Sequence, residues 1–345
     1  MECITEKVTI GIVNYNGLKT ISRTLESIKQ LDYSDFEVIV VDNLSTDGSR
    51  DLIQAHYPEV KCLCLAENRG PAGGRNAILQ VVTSDYVLFL DNDIALEPDT
   101  LTRLMEVIKA VPSLGICHPE IHDPKDPYCH HYNGGWIHYL GALIARDLSQ
   151  EERPEYEIFD VVSGAAMLVN VKIARIIGGF DEDYFFNWED GDFAMRLTLS
   201  GHLCANVPLA VVHHLGKPRG TSKAFYMIRN RWFFLLKLYS WRTLMLCLPM
   251  LLLFDAAQFL MLLIKGEGRE YWRANWDLIQ KLPQVMEKRR QFQSLKLKRD
   301  RDWLRSGEVY VPSSLVAEES LLSRVKEILT WGFVTPYWRL VKLFC

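Results

Sequence analysis

No two cysteines in this 345-residue chain have the C-x-x-C spacing; the eight are scattered at positions 3, 62, 64, 117, 129, 204, 247 and 345. That excludes a disulfide framework and reads as a reduced, intracellular protein. The opening residues, Met1 to Lys7, lack a basic start followed by an apolar core, so no secretory leader is expected. A formal net charge of −4 lacks the basic excess of a nucleic-acid binder, and no nucleic-acid partner is expected. Disorder is excluded as well, since 48% of residues are hydrophobic and only 24% charged. There is no internal repeat and no low-complexity tract. Nor does a G-x-G-x-x-G follow the first strand-like run, where Asn14-Tyr15-Asn16-Gly17 stands instead. A nicotinamide or flavin enzyme lacks its phosphate turn here.

What is present is alternation. Short β-rich runs at 8–13, 36–41, 60–65 and 86–90 are interleaved with helical spacings at 18–31, 47–56, 71–82 and 98–110. Strands alternating with helices of this length predict a mostly parallel sheet in an α/β sandwich. Beyond 115 the order becomes irregular. A strand over Val161–Val171, a helix over Asp190–Ser200 and a short strand over Leu209–Val212 follow, and the first domain is expected to close near 220.

Ligands of parallel α/β sheets bind outside the carboxyl ends of the strands. Polar clusters fall at three such ends: Asn14 to Gly17, Asp42 to Gly48, and Asp91-Asn92-Asp93. The third helix is preceded by Asn68-Arg69-Gly70, with Gly73-Gly74-Arg75-Asn76 behind it. Glycines there let backbone N–H groups approach a phosphate, and Arg69 and Arg75 suit the same anion. Asp91 and Asp93, one residue apart, can hold a divalent cation through oxygen. Glu189, Asp190 and Asp192 open a helix beside Phe185, Phe186 and Trp188. Helix capping accounts for one or two of these carboxylates. An apolar setting raises a carboxyl into the range of a general base. The Cys117, His118, His122, Cys129, His130, His131 loop matches no common zinc spacing.

Taken together, these residues resemble glycosyltransferase family 2, the inverting nucleotide-sugar transferases of GT-A fold, over about residues 7–220. The carriers are Val40-Val41-Asp42-Asn43-Leu44-Ser45-Thr46-Asp47-Gly48, the Asn68 to Asn76 cluster, Asp91-Asn92-Asp93 in the D-x-D place, and the run from Gly178-Gly179-Phe180-Asp181-Glu182 through Asp192 to Arg196. The details are most similar to the rhamnosyltransferase-like branch of bacterial surface-polysaccharide synthesis.

The resemblance implies that Asp42 meets the donor's base and ribose, in a donor site with Asn14, Asn68, Gly70, Arg75 and Asp91. Asp91, Asp93 and His213 are expected to hold Mg²⁺ or Mn²⁺, with His214 as the adjacent rival. Asp190 is the expected general base, supported by Glu189. The implied reaction moves a sugar from dTDP-rhamnose or a UDP-sugar to a glycan hydroxyl, with a lipid-linked acceptor. A non-catalytic nucleotide-sugar-binding or scaffold protein is the alternative.

The last third changes character. Residues 243–264 form a 22-residue apolar stretch broken by Pro249 and Asp255. About 20 such residues can cross a bilayer. Residues 265–305 then carry 12 Lys/Arg against 6 Asp/Glu, while residues 1–264 carry a net −10. Basic residues on both flanks favour a helical region lying in the cytoplasmic leaflet over a span. The expected partner is the membrane surface, at the cytoplasmic face of the inner membrane; a homo-oligomer contact is the other use of such a surface.

Overall fold

The computed structural model describes residues 6–123, 126–130, 133–145, 154–216, 223–309 and 330–345. They fall into two compact units, one of residues 1–134 and 147–220, the other of residues 135–146 and 221–345. A single boundary near 220 has no place for the short excursion at 135–146.

The first unit begins with β1 (Val8–Asn14), α1 (Ile21–Ile28), β2 (Phe36–Asp42), α2 (Ser49–His56), β3 (Lys61–Cys64) and α3 (Gly70–Val81). It continues through β4 (Tyr86–Asp91), β5 (Ile94–Leu96), α4 (Thr100–Ala110), β6 (Leu114–Asp123) and β7 (Asp126–His130). In the second unit come β8 (Gly135–His138) and β9 (Ala142–Ala145). The first unit then resumes with β10 (Glu157–Phe159), β11 (Ala166–Asn170), α5 (Val171–Ile176), α6 (Glu189–Leu199) and β12 (Leu203–His214).

The sheet order is β10-β12-β6-β11-β4-β1-β2-β3, with β5 on β12 and β7 on β6. Strands β3, β2, β1 and β4 run parallel, as the alternation predicts, and β11 enters antiparallel between β4 and β6. Every residue of β1 is buried, as a strand covered on both faces requires. Its even positions, Val8, Ile10 and Ile12, join Leu25, Leu88, Leu90 and Leu104 in one core.

Three local differences have simple causes. The first helix begins at Ile21, because Gly17 to Thr20 form a turn in which the Thr20 N–H reaches Gly17 O. The run expected to be one strand over 161–171 is strand only at 166–170. Asn170 then ends it by capping α5, its Oδ1 accepting from Ile173 N at 3.1 Å. The irregular-looking residues after 115 contain β6, whose Ile116 and Cys117 are fully buried. Of the Cys/His loop, Cys117 and His118 belong to this buried strand, whereas the side chains of Cys129, His130 and His131 lie outside the described residues.

The second unit is built from the β8–β9 hairpin, α7 (Ala224–Leu238), α8 (Trp241–Ile264), α9 (Gly268–Gln293), α10 (Asp300–Trp303) and α11 (Thr335–Val341). An aromatic cluster holds it together: Tyr139 stacks on Trp338 at 5.0 Å, and Tyr239 meets the buried Trp303 edge-on at 5.3 Å. Arg231 of α7 is buried, donating from Nε to Leu140 O at 2.9 Å and from Nη1 to Asp255 at 3.2 Å. That accounts for the one charge within the apolar stretch. Among the described residues, α8 is the one helix long and apolar enough to cross a membrane.

Candidate active site

Register places the three polar strand ends side by side: Asn14 of β1 is level with Asp42 of β2, and Val13 is level with Asp91 of β4. At this rim Asn14 is fully buried. Its Nδ2 lies 3.0 Å from Asp42 Oδ2 and 3.0 Å from Ser49 Oγ, and its Oδ1 accepts from Asn92 Nδ2 at 2.9 Å. Asp42, also buried, accepts from the Ser45 N–H at 3.0 Å. Gly17 is obligatory beside them, for a Cβ there would stand 2.4 Å from both Asn14 Oδ1 and Asn92 Nδ2. Asn92, the middle residue of the D-x-D run, therefore ties β4 to β1.

The Asn68 to Asn76 cluster serves a different purpose from an open phosphate loop. Asn68 Oδ1 accepts from the Gly70 N–H at 2.9 Å, and Arg69 grips Glu182 with Nε and Nη2 at 3.0 and 2.7 Å. Asn76 donates to Phe180 O and to Glu182 Oε1, both at 2.9 Å. Gly70 (φ 66°) packs so closely on the 185 loop that a Cβ would come within 2.2 Å of Phe185 O. These residues fasten α3 to the loop that carries the acidic helix.

Arg75 is the centre of the arrangement. It is 2% exposed, and its Nη2 donates to Asp91 Oδ1 at 3.0 Å and to Gly164 O at 2.8 Å. Its Nη1 donates to Glu189 Oε1 at 3.3 Å. Burial weakens a guanidinium's charge, but Asp91, Glu189 and Asp190 outweigh it and hold Arg75 protonated. Burial pushes the Asp91 carboxyl up to about 6, against the pull of Arg75 and with a further push from Asp93. Glu189 is pushed up to about 7, by burial and then by neighbouring Asp190. Its Oε2 is buried without a hydrogen-bond partner among the described residues.

Asp190 is half-buried. Its Oδ2 accepts from the Gly164 N–H at 2.8 Å and its Oδ1 from the Gly191 N–H at 2.8 Å. The third carboxylate, Asp192, is fully buried. It accepts from Tyr184 Oη at 3.0 Å and Arg196 Nε at 2.8 Å, while Arg196 also donates to Ile177 O and Gly179 O at 2.6 Å. Asp192 and Arg196 thus staple the Gly178-Gly179 turn, leaving Glu189 and Asp190 for chemistry. The lead-in to α6 is strained: Phe185, Asn187 and Trp188 have φ of 59°, 69° and 77°. Left-handed backbone at non-glycine residues costs on the order of 1 kcal/mol or more each and collects where side chains must be aimed.

On the metal side, neighbouring residues of β12 part company. His213 Nε2 lies 2.7 Å from Glu97 Oε1, whereas His214 Nε2 lies 3.8 Å from Asp93 Oδ1. The Leu215 N–H donates to Asp93 O at 2.7 Å, and a Cβ on Gly216 would stand 2.0 Å from Asp93 Oδ2. The chain is thus drawn tight over Asp93. Among the described residues no three His, Cys, Asp or Glu side chains form a closed metal cage. One carboxylate and one imidazole are donors that suit a cation taking its remaining ligands from a diphosphate, as Mg²⁺ commonly does. Asp93 and His214 are the pair brought together. His213 is held away by Glu97, and Asp91 is engaged by Arg75.

Sequence reasoning did not single out Gly164, which donates to Asp190 and accepts from Arg75. A lone glycine 26 residues before Asp190 carries no local signal. Gly216 follows His213 and His214 closely in sequence, but its contact with Asp93 exists only in the folded chain.

With this geometry in place, the comparisons agree on its class. Residues 9–168 match the model of glycosyl transferase family 2. An L-rhamnosyltransferase of Mycobacterium tuberculosis, acting on N-acetylglucosaminyl-diphospho-decaprenol by its name, is 26% identical over 253 residues, 65% of this chain and 81% of that one. An uncharacterized glycosyltransferase of Nostoc is 35% identical over 115 residues, covering 32% of this chain and 36% of that protein's length. The GalNAc-T7 crystal structure with UDP, GalNAc and Mn²⁺ superposes with a TM-score of 0.58 at 15% identity, over 70% of this chain and 49% of that one. The first unit is a GT-A domain. Over residues 9–168, just under half of its length, the chain is similar to glycosyl transferase family 2.

Proposed function

We propose that this chain is an inverting, divalent-metal-dependent glycosyltransferase of cell-surface polysaccharide synthesis. It moves a sugar from a nucleoside diphosphate, dTDP-rhamnose or a UDP-sugar, to a hydroxyl of a lipid-linked glycan at the cytoplasmic face of the membrane. The observation that carries this reading is Arg75, one buried cation bonded at once to Asp91 on the D-x-D rim and Glu189 on the acidic helix. It ties two carboxylate sets together, and in this reading one serves the leaving group and the other the acceptor. The Mycobacterium relative's name supports a diphospho-lipid acceptor and rhamnose. The Mn²⁺ in the GalNAc-T7 structure supports a divalent ion, with Mg²⁺ equally suited to these ligands.

In this reading Asp42, fixed by Asn14 and Ser45, shapes the place for the donor's base and ribose. Asp93 and His214 hold the cation, which when bound neutralises the departing diphosphate. Asp190 takes the proton of the acceptor hydroxyl as its oxygen attacks the anomeric carbon. The bond from that carbon to the diphosphate breaks on the opposite face, and the nucleoside diphosphate leaves with the electron pair. Glu189, buried and tied to Arg75, keeps Asp190 on station. The Gly164 N–H orients the Asp190 carboxylate so that its remaining lone pairs face the acceptor.

The test is nucleotide release from dTDP-, UDP- and GDP-sugars with Mn²⁺, with Mg²⁺ and with EDTA, with and without a diphospho-lipid acceptor. Release that needs acceptor and metal supports the reading. Nucleotide binding without turnover on any donor overturns it in favour of a scaffold.

A further inference from the structure

Helix α8 is apolar on two opposite faces. One packs into the helical unit through Leu244, Cys247, Leu251 and Leu262; the other leaves Met245, Leu252, Leu253, Leu260 and Ile264 exposed. These positions are spaced by seven, one, seven and four residues, which places them along one side of a 3.6-residue helix. At the far end of α8, Phe259 meets the Trp272 ring of α9 at 5.7 Å. There α9 adds a second stripe of Trp272, Trp276 and Ile279, with the two indoles 64% and 63% exposed. Soluble monomers rarely expose contiguous apolar surface beyond a few hundred Å².

The rim indicates what covers this surface. Arg242 and Lys265 stand exposed at the two ends of α8, and Arg269 and Arg273 are exposed on the first turns of α9. Indole rings flanked by arginines match the boundary between acyl chains and anionic headgroups. A two-fold contact with a second copy would set the same basic rim against itself.

The centre of α8 indicates how the surface is used. Asp255 is 7% exposed, accepting from Arg231 at 3.2 Å, from Trp232 Nε1 at 3.1 Å, and from Tyr271 Oη. Two of these partners are on α7 and the third on α9, and Arg229 and Asp277 bind those two helices to each other at 3.0 Å. For α8 to cross a bilayer, either this buried pair breaks or charged α7 and α9 enter the hydrocarbon with it. Both are costly. Lying flat sinks only the exposed stripes and leaves the buried Arg231–Asp255 and Arg229–Asp277 pairs in place.

We propose that the outer faces of α8 and of the first half of α9 are an in-plane docking surface for a lipid leaflet bearing anionic headgroups, entered from one side and not crossed. This rests on the membrane attachment in the proposed function. Its readouts are lipid binding and topology, so it fails or stands separately from sugar transfer.

The full-length chain is floated with phosphatidylcholine vesicles with and without about a third phosphatidylglycerol. Binding at least tenfold stronger to the anionic vesicles is expected. Leu252→Glu/Leu260→Glu is expected to lose binding tenfold or more with an unchanged melting temperature, because both side chains are already in solvent. Arg269→Glu/Arg273→Glu is expected to lose most of the preference for anionic lipid. In membranes from expressing cells, a C-terminal epitope is expected to be digested in inverted vesicles and protected in intact spheroplasts. Protection in inverted vesicles would establish a crossing and overturn the proposal. So would a wild-type chain that remains a soluble dimer without lipid and becomes monomeric on Leu252→Glu/Leu260→Glu.

Discussion

The backbone N–H of Gly164 donates to Asp190 Oδ2 at 2.8 Å, and the space where a Gly164 side chain would stand is filled by Asp190 Cβ, 2.8 Å away. Arg75 Nη2 is 3.1 Å from the same point. Gly164→Ala is therefore expected to push Asp190 and Arg75 off station. Steady-state kinetics should show kcat down at least ~10-fold, since small displacements of a positioned group are costly, with donor KM little changed.

Asp190→Asn keeps the size and one of the two backbone hydrogen bonds, that from Gly164 or that from Gly191, but removes the proposed base. A loss of roughly 10²–10⁴ in kcat is expected for a missing general base. Donor affinity, measured by calorimetry, should stay near wild type. An active variant would move the role to Glu189.

The two histidines are expected to separate under metal titration. His214→Ala removes a nitrogen beside Asp93 and should raise the Mn²⁺ concentration for half-maximal activity by roughly 10- to 100-fold. His213→Ala only frees Glu97 and should leave the metal requirement near wild type. Equal effects of the two substitutions would contradict the assignment.

Glu189 gives a pH dependence of defined sign. Its carboxyl is raised to about 7 by burial in the folded chain, and the unfolded chain binds the proton more weakly. The stability this proton contributes is present in full below about 4.5 and is lost as pH rises through about 7. Glu189→Gln is permanently neutral, so its melting temperature relative to wild type should become more favourable from pH 5 to pH 8. The change corresponds to on the order of 2 kcal/mol. The trend carries the test, because losing the bond to Arg75 shifts the whole curve by a constant.

Much of this architecture is legible in one dimension. The parallel strands β1 to β4 and their helices follow from hydrophobic period. The polar turns after β1, β2 and β4 must share an edge once those strands run parallel, so the sequence alone puts Asn14, Asp42 and Asp91 on one rim. Their chemistry was less visible. Arg75 and Arg69 look like anion ligands beside their glycines, yet the folded chain gives Arg75 to Asp91 and Glu189, and Arg69 to Glu182, 113 residues away. Likewise Asp192 looks equal to Glu189 and Asp190 until Arg196 and Tyr184 claim it.

By itself, then, the sequence determined the sheet, the rim where a ligand meets it, the resemblance to a family of sugar transferases, and the apolar and basic character of the last third. Tertiary structure alone decided which polar groups remain available. Hydrophobic period is a local property, written every two or four residues, but a charge is free or spent according to partners that any distant segment supplies. His213 and His214 show this most simply. Successive side chains of a strand face opposite ways, and the pairing of β12 with β5 sends one histidine to Glu97 and the other to Asp93.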